Sequence, residues 1–211
     1  MATRTRLTRA ESKARTRTEL VEAAREVFLE RGYHAASMEA VADAAGYSPG
    51  AVYSTFRGKA DLFLAVFDAR VAERTRQMQN VAEAAVSVGE LAELLARQYA
   101  STSTRERAWS MLVIEFWALA ARDPELRRQF AERHDALKAA TARLIDQTLA
   151  RTARRLSLDT ERVAVAAAAL ANGLTLERLA HPDETSVELL ATLAKVIMNG
   201  LTVDPRHESS R

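Results

Sequence analysis

An all-helical fold is what this sequence predicts, and three observations predict it. Glycine and proline are scarce, at seven and four of 211 residues, so few segments carry a residue that disfavours helix interiors. Alanine is abundant while aromatic residues are few and β-branched runs short, the composition of helices rather than sheets. Apolar residues recur at three- and four-residue spacing along most of the chain. The length suits one large domain, or a small one with a medium one, and is enough for a real core. No eighteen apolar residues run together, so no membrane-spanning helix is expected. The absence of cysteine excludes disulfides, thiolate chemistry and sulfur metal sites, and suits a reducing cytosol; a cytoplasmic location without membrane contact is the expectation.

Net charge is only +2 and says little about partners. Its distribution says more. Residues 1–18 hold Arg4, Arg6, Arg9, Lys13, Arg15 and Arg17 against Glu11 alone, whereas from residue 76 onward basic and acidic residues number 18 each. Residues 1–15 thus form a basic N-terminal arm. Three readings fit it: a targeting peptide, a solvated tail, or an arm that neutralises phosphates.

The elements follow in order. "TELVEAAREVFLERGY" places Leu20, Ala23, Ala24, Val27 and Phe28 at helical spacing, with Gly32 as the stop. Ser37 caps "MEAVADAAG", a helix of barely two turns ending at Gly46. Ser48 caps a third helix with Pro49 at its first position, where a missing N–H costs nothing. After Phe56 the chain breaks at Gly58, and a longer helix follows with Leu62, Phe63, Val66, Phe67 and Val71 on one side. Two short helices joined by a tight turn form the helix-turn-helix unit. Its second helix enters the major groove, with N-terminal residues meeting the bases. Residues 16–75 are therefore expected to form a three-helix helix-turn-helix domain with its linking helix. Residues 76–206 form a larger helical domain, divided into roughly five helices by breaks at Ser87–Gly89, Ser101–Thr104, Asp123–Pro124, Ser157–Asp159 and His181–Pro182.

The stretch "SPGAVYSTF" meets the demands of a DNA-reading helix. It carries no acid to repel phosphates, and Gly50 and Ala51 remove bulk at its start. Ser48 and Ser54 can hydrogen-bond bases or phosphates, and the Ala51 methyl can touch a thymine methyl. Tyr53 can offer its hydroxyl to a phosphate. Lys59, at the start of the next helix, adds an ammonium where the helix end already favours anions. Val52 and Phe56 point the other way, into the domain.

"GYSPGAVYSTFRGKADLF" closely resembles the recognition-helix signature of the TetR/AcrR family of one-component bacterial repressors, in its glycine, serine, apolar, tyrosine, phenylalanine, lysine and leucine positions. "AAREVFLERGYHAASMEAVADAAG" upstream is similar too, and the strong resemblance covers roughly residues 16–67. The resemblance implies that Ser37, Tyr53 and Lys59 hold phosphates of double-stranded operator DNA while Ser48, Gly50, Ala51 and Ser54 face bases, with Pro49 also on the DNA-binding side. Thr55 stands where the family often has histidine or tyrosine, so a backbone contact there is weaker. Gly58 replaces a common capping serine or asparagine, at a cost of about a few tenths of a kcal/mol.

In the larger domain, "ERAWSMLVIEFWALAARD" is apolar nearly all round, the pattern of a helix central to its domain. Trp109, Leu112, Glu115, Phe116 and Trp117 are candidates to line a pocket for a flat or greasy effector, a role the resemblance supports; core packing is the alternative. Glu115 should be paired, protonated or near water; an arginine such as Arg127 or Arg128 is the expected partner, and a ligand-reading role, which would favour cationic or amine-bearing effectors, is the alternative. The last two helices, alanine-rich and then leucine-rich, suggest a homodimer surface through Ala168, Asn172, Val187, Leu190, Ala194 and Ile197, with core packing within one chain as the alternative. No metal-ligand spacing, nucleophile elbow or phosphate-binding loop occurs, so neither an enzyme nor a cofactor is expected. The expectation is a ligand-responsive repressor that binds a palindromic operator as a dimer. A DNA-binding regulator controlled by abundance or a protein partner is the alternative, favoured if the larger domain has no cavity.

Overall fold

The computed structural model describes residues 8–99, 104–181 and 186–204. Its described residues form α1 (Arg9–Ala35), α2 (Met38–Ala45), α3 (Pro49–Thr55), α4 (Lys59–Ala84), α5 (Val88–Tyr99), α6 (Thr104–Ala120), α7 (Pro124–Thr152), β1 (Arg155–Leu156), α8 (Thr160–Ala180), α9 (Val187–Leu201) and β2 (Thr202–Val203). The all-helical class holds, apart from one two-stranded antiparallel pair in which Arg155 faces Val203 and Leu156 faces Thr202. The chain divides into two compact units. One contains the described residues up to Arg70 together with Ala108–Phe130, the other Val71–Arg107 with the described residues from Ala131.

α1 begins nine residues before the first periodic apolar residues predict, because Thr8 and Glu11 form a reciprocal capping box. The Thr8 hydroxyl accepts the Glu11 amide at 3.2 Å, and the Glu11 carboxylate accepts the Thr8 amide at 2.7 Å. Residues 9–15 of the basic arm therefore belong to a helix, and residues 1–7 lie outside the described ones. At the other end, Gly32 interrupts the helical dihedrals with φ 75° and ψ 171°, a region essentially restricted to glycine.

The first unit is built on stacked rings. Phe63 is fully buried, with Phe116 at 4.1 Å between ring centroids and Phe28 and Tyr33 each at 5.6 Å. Phe130 closes on Phe67 at 4.9 Å and on Phe116 at 5.3 Å. These contacts explain why residues 108–130 group with the helix-turn-helix segment rather than with the second unit, as a division after residue 75 would have them. They also explain the apolar run of α6. Leu112, Phe116 and Ala120 are buried in this unit, whereas Met111 and Trp117 remain exposed.

Glu115 is fixed at the Gly32 bend. Its carboxylate accepts the Tyr33 amide at 2.7 Å, so its partner is a backbone N–H, while Arg128 pairs with Glu125 instead. A Cβ on Gly32 would stand 3.0 Å from one Glu115 carboxylate oxygen. Gly32→Ala is therefore expected to destabilise the protein by about 1–3 kcal/mol, through strained dihedrals and a displaced carboxylate. A denaturant midpoint unchanged from wild type would show that the bend relaxes without loss.

In the second unit α5 and α9 run antiparallel, with Val88 packed in the cluster that holds Met198, and Ala96 against Leu190 and Ala191. The buried Thr148 hydroxyl donates to the Leu144 carbonyl and accepts from Arg151, whose guanidinium also holds the Ala82 carbonyl near the end of α4 at 2.8 Å. α8 is long and apolar enough to cross a membrane by length and composition, and little of it is buried. Its apolarity comes mainly from alanine, and Asn172, Gly173 and Thr175 interrupt it.

Candidate nucleic-acid interface and small-molecule cavity

α2 and α3 are separated by Gly46, Tyr47 and Ser48 alone. Gly46 adopts the left-handed conformation at φ 70°, which lets the chain reverse within three residues. The Tyr47 amide then closes the turn on the Ala42 carbonyl at 2.9 Å. Val52 and Phe56 are buried as their spacing predicts, and the Arg17 guanidinium lies over the Phe56 ring. The opposite face of α3 consequently points to solvent: Ser48, Pro49, Gly50, Tyr53 and Ser54 are exposed, with Ala51 and Thr55 half-buried.

The hydroxyls on this face divide their hydrogen-bonding capacity. Ser37 accepts the Ala40 amide at 3.1 Å and Ser48 the Ala51 amide at 3.3 Å, capping α2 and α3 through lone pairs. A capping hydroxyl keeps its proton to donate. Ser54 and Thr55, by contrast, both donate to the Ala51 carbonyl, at 2.9 and 2.8 Å. To donate to a base, either hydroxyl must rotate away from that carbonyl.

Tyr53 and Lys59 are already engaged. The Tyr53 hydroxyl donates to Glu39 at 3.0 Å. This bond pushes the phenol's pKa up, and Glu39 is held below its ordinary value by its own backbone amide and by Tyr53. The Lys59 ammonium donates to the carbonyls of His34 and Ala36, both at 3.0 Å, and sits 4.7 Å from the Tyr33 ring centre. It thus ties α4 to the end of α1, and of its three donors two are used. At the start of α4, the Asp61 carboxylate accepts the Arg57 amide at 3.0 Å.

The second unit holds a cavity of about 440 Å³ between α4, α5, α7, α8 and α9, within the size range of small-molecule sites. Trp109, Leu112, Glu115, Phe116 and Trp117 are not among its lining residues; α6 uses that face for the aromatic stack of the first unit. Instead, Ala168, Asn172, Leu190, Ala194 and Ile197 line the cavity, and Val187 packs beside Leu190. Of these, Leu190 is buried and Val187 and Ala194 are half-buried beside α5, whereas Ile197 is left exposed. Among the described residues, the large apolar side chains left exposed on these helices are Leu189, Leu193, Val196 and Ile197 on α9, and Val165, Leu170 and Leu176 on α8. Helical spacing shows that one face is buried, but not which neighbour buries it. His134 on α7 also lines the cavity; burial, aided by the charge of Lys138, lowers its pKa. Neither α7 nor α5 carried a motif that marks a pocket wall.

Comparison with known proteins agrees with this architecture. The family model for bacterial regulatory proteins of the tetR family matches residues 20–66, and that for the C-terminal domain of BetI-type transcriptional repressors matches residues 88–202. The HTH-type transcriptional activator FasR of Mycolicibacterium smegmatis is 49% identical over 55 residues, 26% of this chain and 25% of that protein. The HTH-type transcriptional regulator UidR of Escherichia coli is 28% identical over 119 residues, 56% of this chain and 59% of that one. The chain thus spans about a quarter of the first relative and three-fifths of the second. Among solved structures, a transcriptional regulator from Saccharomonospora viridis in complex with choline superposes with a TM-score of 0.70 at 19% identity, over 90% of this chain and 98% of that one. With helix-turn-helix segment and C-terminal domain both matched, the chain belongs to the TetR family of DNA-binding bacterial transcriptional regulators.

Proposed function

We propose that the protein is a homodimeric, ligand-responsive repressor that reads a palindromic operator with α3 and is released by a small apolar or amphipathic effector. The cavity in the second unit carries the ligand-responsive part of this reading, since a DNA-binding protein controlled by abundance alone needs no internal space of this size. In the DNA-binding unit, Ser48, Gly50, Ala51 and Ser54 would face bases, and Ser37, Tyr53 and Lys59 would meet phosphates, with Pro49 and Thr55 beside them. A second copy would cover the exposed apolar rows of α8 and α9, so that two recognition helices address two half-sites. Effector must then bind better to a state whose two α3 helices no longer match successive major grooves. By linkage, operator DNA weakens effector binding by the same factor.

A footprint of the purified protein on DNA flanking its own gene, at stated salt with nonspecific competitor, tests the reading. A symmetric protected site that a bound effector abolishes is the expected result; salt-sensitive binding without a preferred sequence would overturn it. On that operator, Ser54→Ala should alter the preference at individual base positions. Lys59→Gln should weaken binding to all sequences and reduce the salt slope by about one. A loss at a single base position on Lys59→Gln would remove that residue from the phosphate contacts.

A further inference from the structure

The row of residues that α1 turns toward the core continues past the point where the core ends. Val27, Ala24 and Leu20 are buried. The same three- and four-residue steps lead from Leu20 back to Arg17, Lys13 and Arg9, so these share one side of the helix. The Arg17 guanidinium lies 4.5 Å from the centre of the Phe56 ring, at the end of α3. One residue away, the Thr16 hydroxyl meets the Tyr47 hydroxyl at 3.5 Å, just before α3 begins. α1 thus passes beside both ends of α3 as it leaves the domain. Every residue from Arg9 to Arg15 is exposed, about 10 Å of helix. The acids of this stretch follow the opposite side and are engaged: Glu11 accepts the Thr8 amide, and Glu19 pairs with Arg15 and accepts the Tyr47 hydroxyl.

We propose that Arg9 and Lys13 form a second DNA-contacting surface, which holds the phosphate backbone of a duplex beside the groove that α3 enters. The assignment rests on the reading of α3 as the recognition helix and adds a contact outside α2 and α3. The core-facing row is apolar wherever protein covers it, and it turns cationic where that cover ends. A polyanion continuous with the α3 face is the partner this change of chemistry fits. Both side chains carry their charge on long stems, which reach phosphate oxygens and need no particular base edge. The side of the helix is the site rather than its end, because Glu11 already occupies the Thr8 amide and places its own negative charge there. Such a contact raises affinity for every sequence alike and leaves the choice of sequence to α3.

Anisotropy titration of the full-length protein with a labelled duplex of random sequence, at about 50 to 200 mM salt, tests it. The Arg9→Gln/Lys13→Gln variant should bind more weakly at each salt. Its slope of log affinity against log salt should fall by about two for each chain bound. Arg143→Gln/Lys195→Gln, which removes two exposed charges from α7 and α9, should keep the wild-type slope. Arg9→Lys should keep it as well, since charge alone is required. An unchanged slope in the Arg9→Gln/Lys13→Gln variant, or an equal fall in the α7 and α9 control, overturns the assignment. Loss of binding to phosphatidylserine vesicles with an unchanged DNA slope overturns it too, in favour of a lipid surface. Lys59→Gln on the same duplex separates this surface from α3. If its slope falls while that of the α1 variant does not, the row on α1 is only a solvated face and the recognition-helix reading stands. Should neither slope fall, both fail.

Discussion

Phe63→Ala is expected to lower the stability of the protein by about 3–5 kcal/mol, the cost of emptying a fully buried aromatic site. The ring is inaccessible to solvent and stands at the centre of the aromatic stack. Phe116 lies 27° from parallel with it, whereas Phe28 and Tyr33 meet it edge-on at 82° and 85°. Removal would leave a void whose walls come from α1, α4 and α6, each of which is tied to its neighbours by other contacts and so cannot collapse freely. Denaturant unfolding followed by tryptophan fluorescence reads the effect directly, because Trp109 stacks at 6.5 Å from Phe63. A loss below about 1 kcal/mol would mean that the rings repack, and that the stack does not hold α6 to the helix-turn-helix segment.

Leu193→Glu should convert the proposed dimer to a monomer and weaken operator binding by more than about a hundredfold, because linked half-site binding is lost. Leu193 is 41% exposed, between Leu189 at 47% and Val196 at 61%, so a carboxylate there is tolerated by a single chain. Across a twofold interface the substitution would bring two like charges into an apolar surface. Lys195→Gln, two residues away but paired with Glu93 on α5 at 2.8 Å, should leave association intact. Sedimentation of both variants separates the outcomes. A Leu193→Glu protein that sediments as a dimer would exclude this face from the interface.

How much of this was legible in the sequence depends on how local the determinant is. Ser37, Gly46, Ser48 and Pro49 act within one turn, and they set α2 and α3 where turn chemistry predicts. The start of α1 was not legible from periodicity, since the stretch from Arg9 to Thr16 offers few apolar residues; the Thr8–Glu11 capping box marks it, a signal hidden among basic and hydroxyl residues. The partner of Glu115 lies 82 positions earlier and is a backbone amide, so no side-chain pattern could name it. The cavity was least legible of all. Its walls come from one stripe on each of several helices, and alanines, leucines and methionines around a space read the same as those around a packed core. The β1–β2 pair, two residues long on each side, is too short for alternation to show.

With Tyr53 serving a phosphate as proposed, its bond to Glu39 makes the carboxylate a tethered rival for the same donor. Any duplex, cognate or random, must displace that rival. The penalty is then common to all sequences, and the ratio of cognate to random affinity is untouched. What changes is time: dwell on random DNA shortens, and the protein samples more sites per second before it reaches its operator. On this view Glu39 sets the pace of the search, and Glu39→Gln would lengthen every stop along the way.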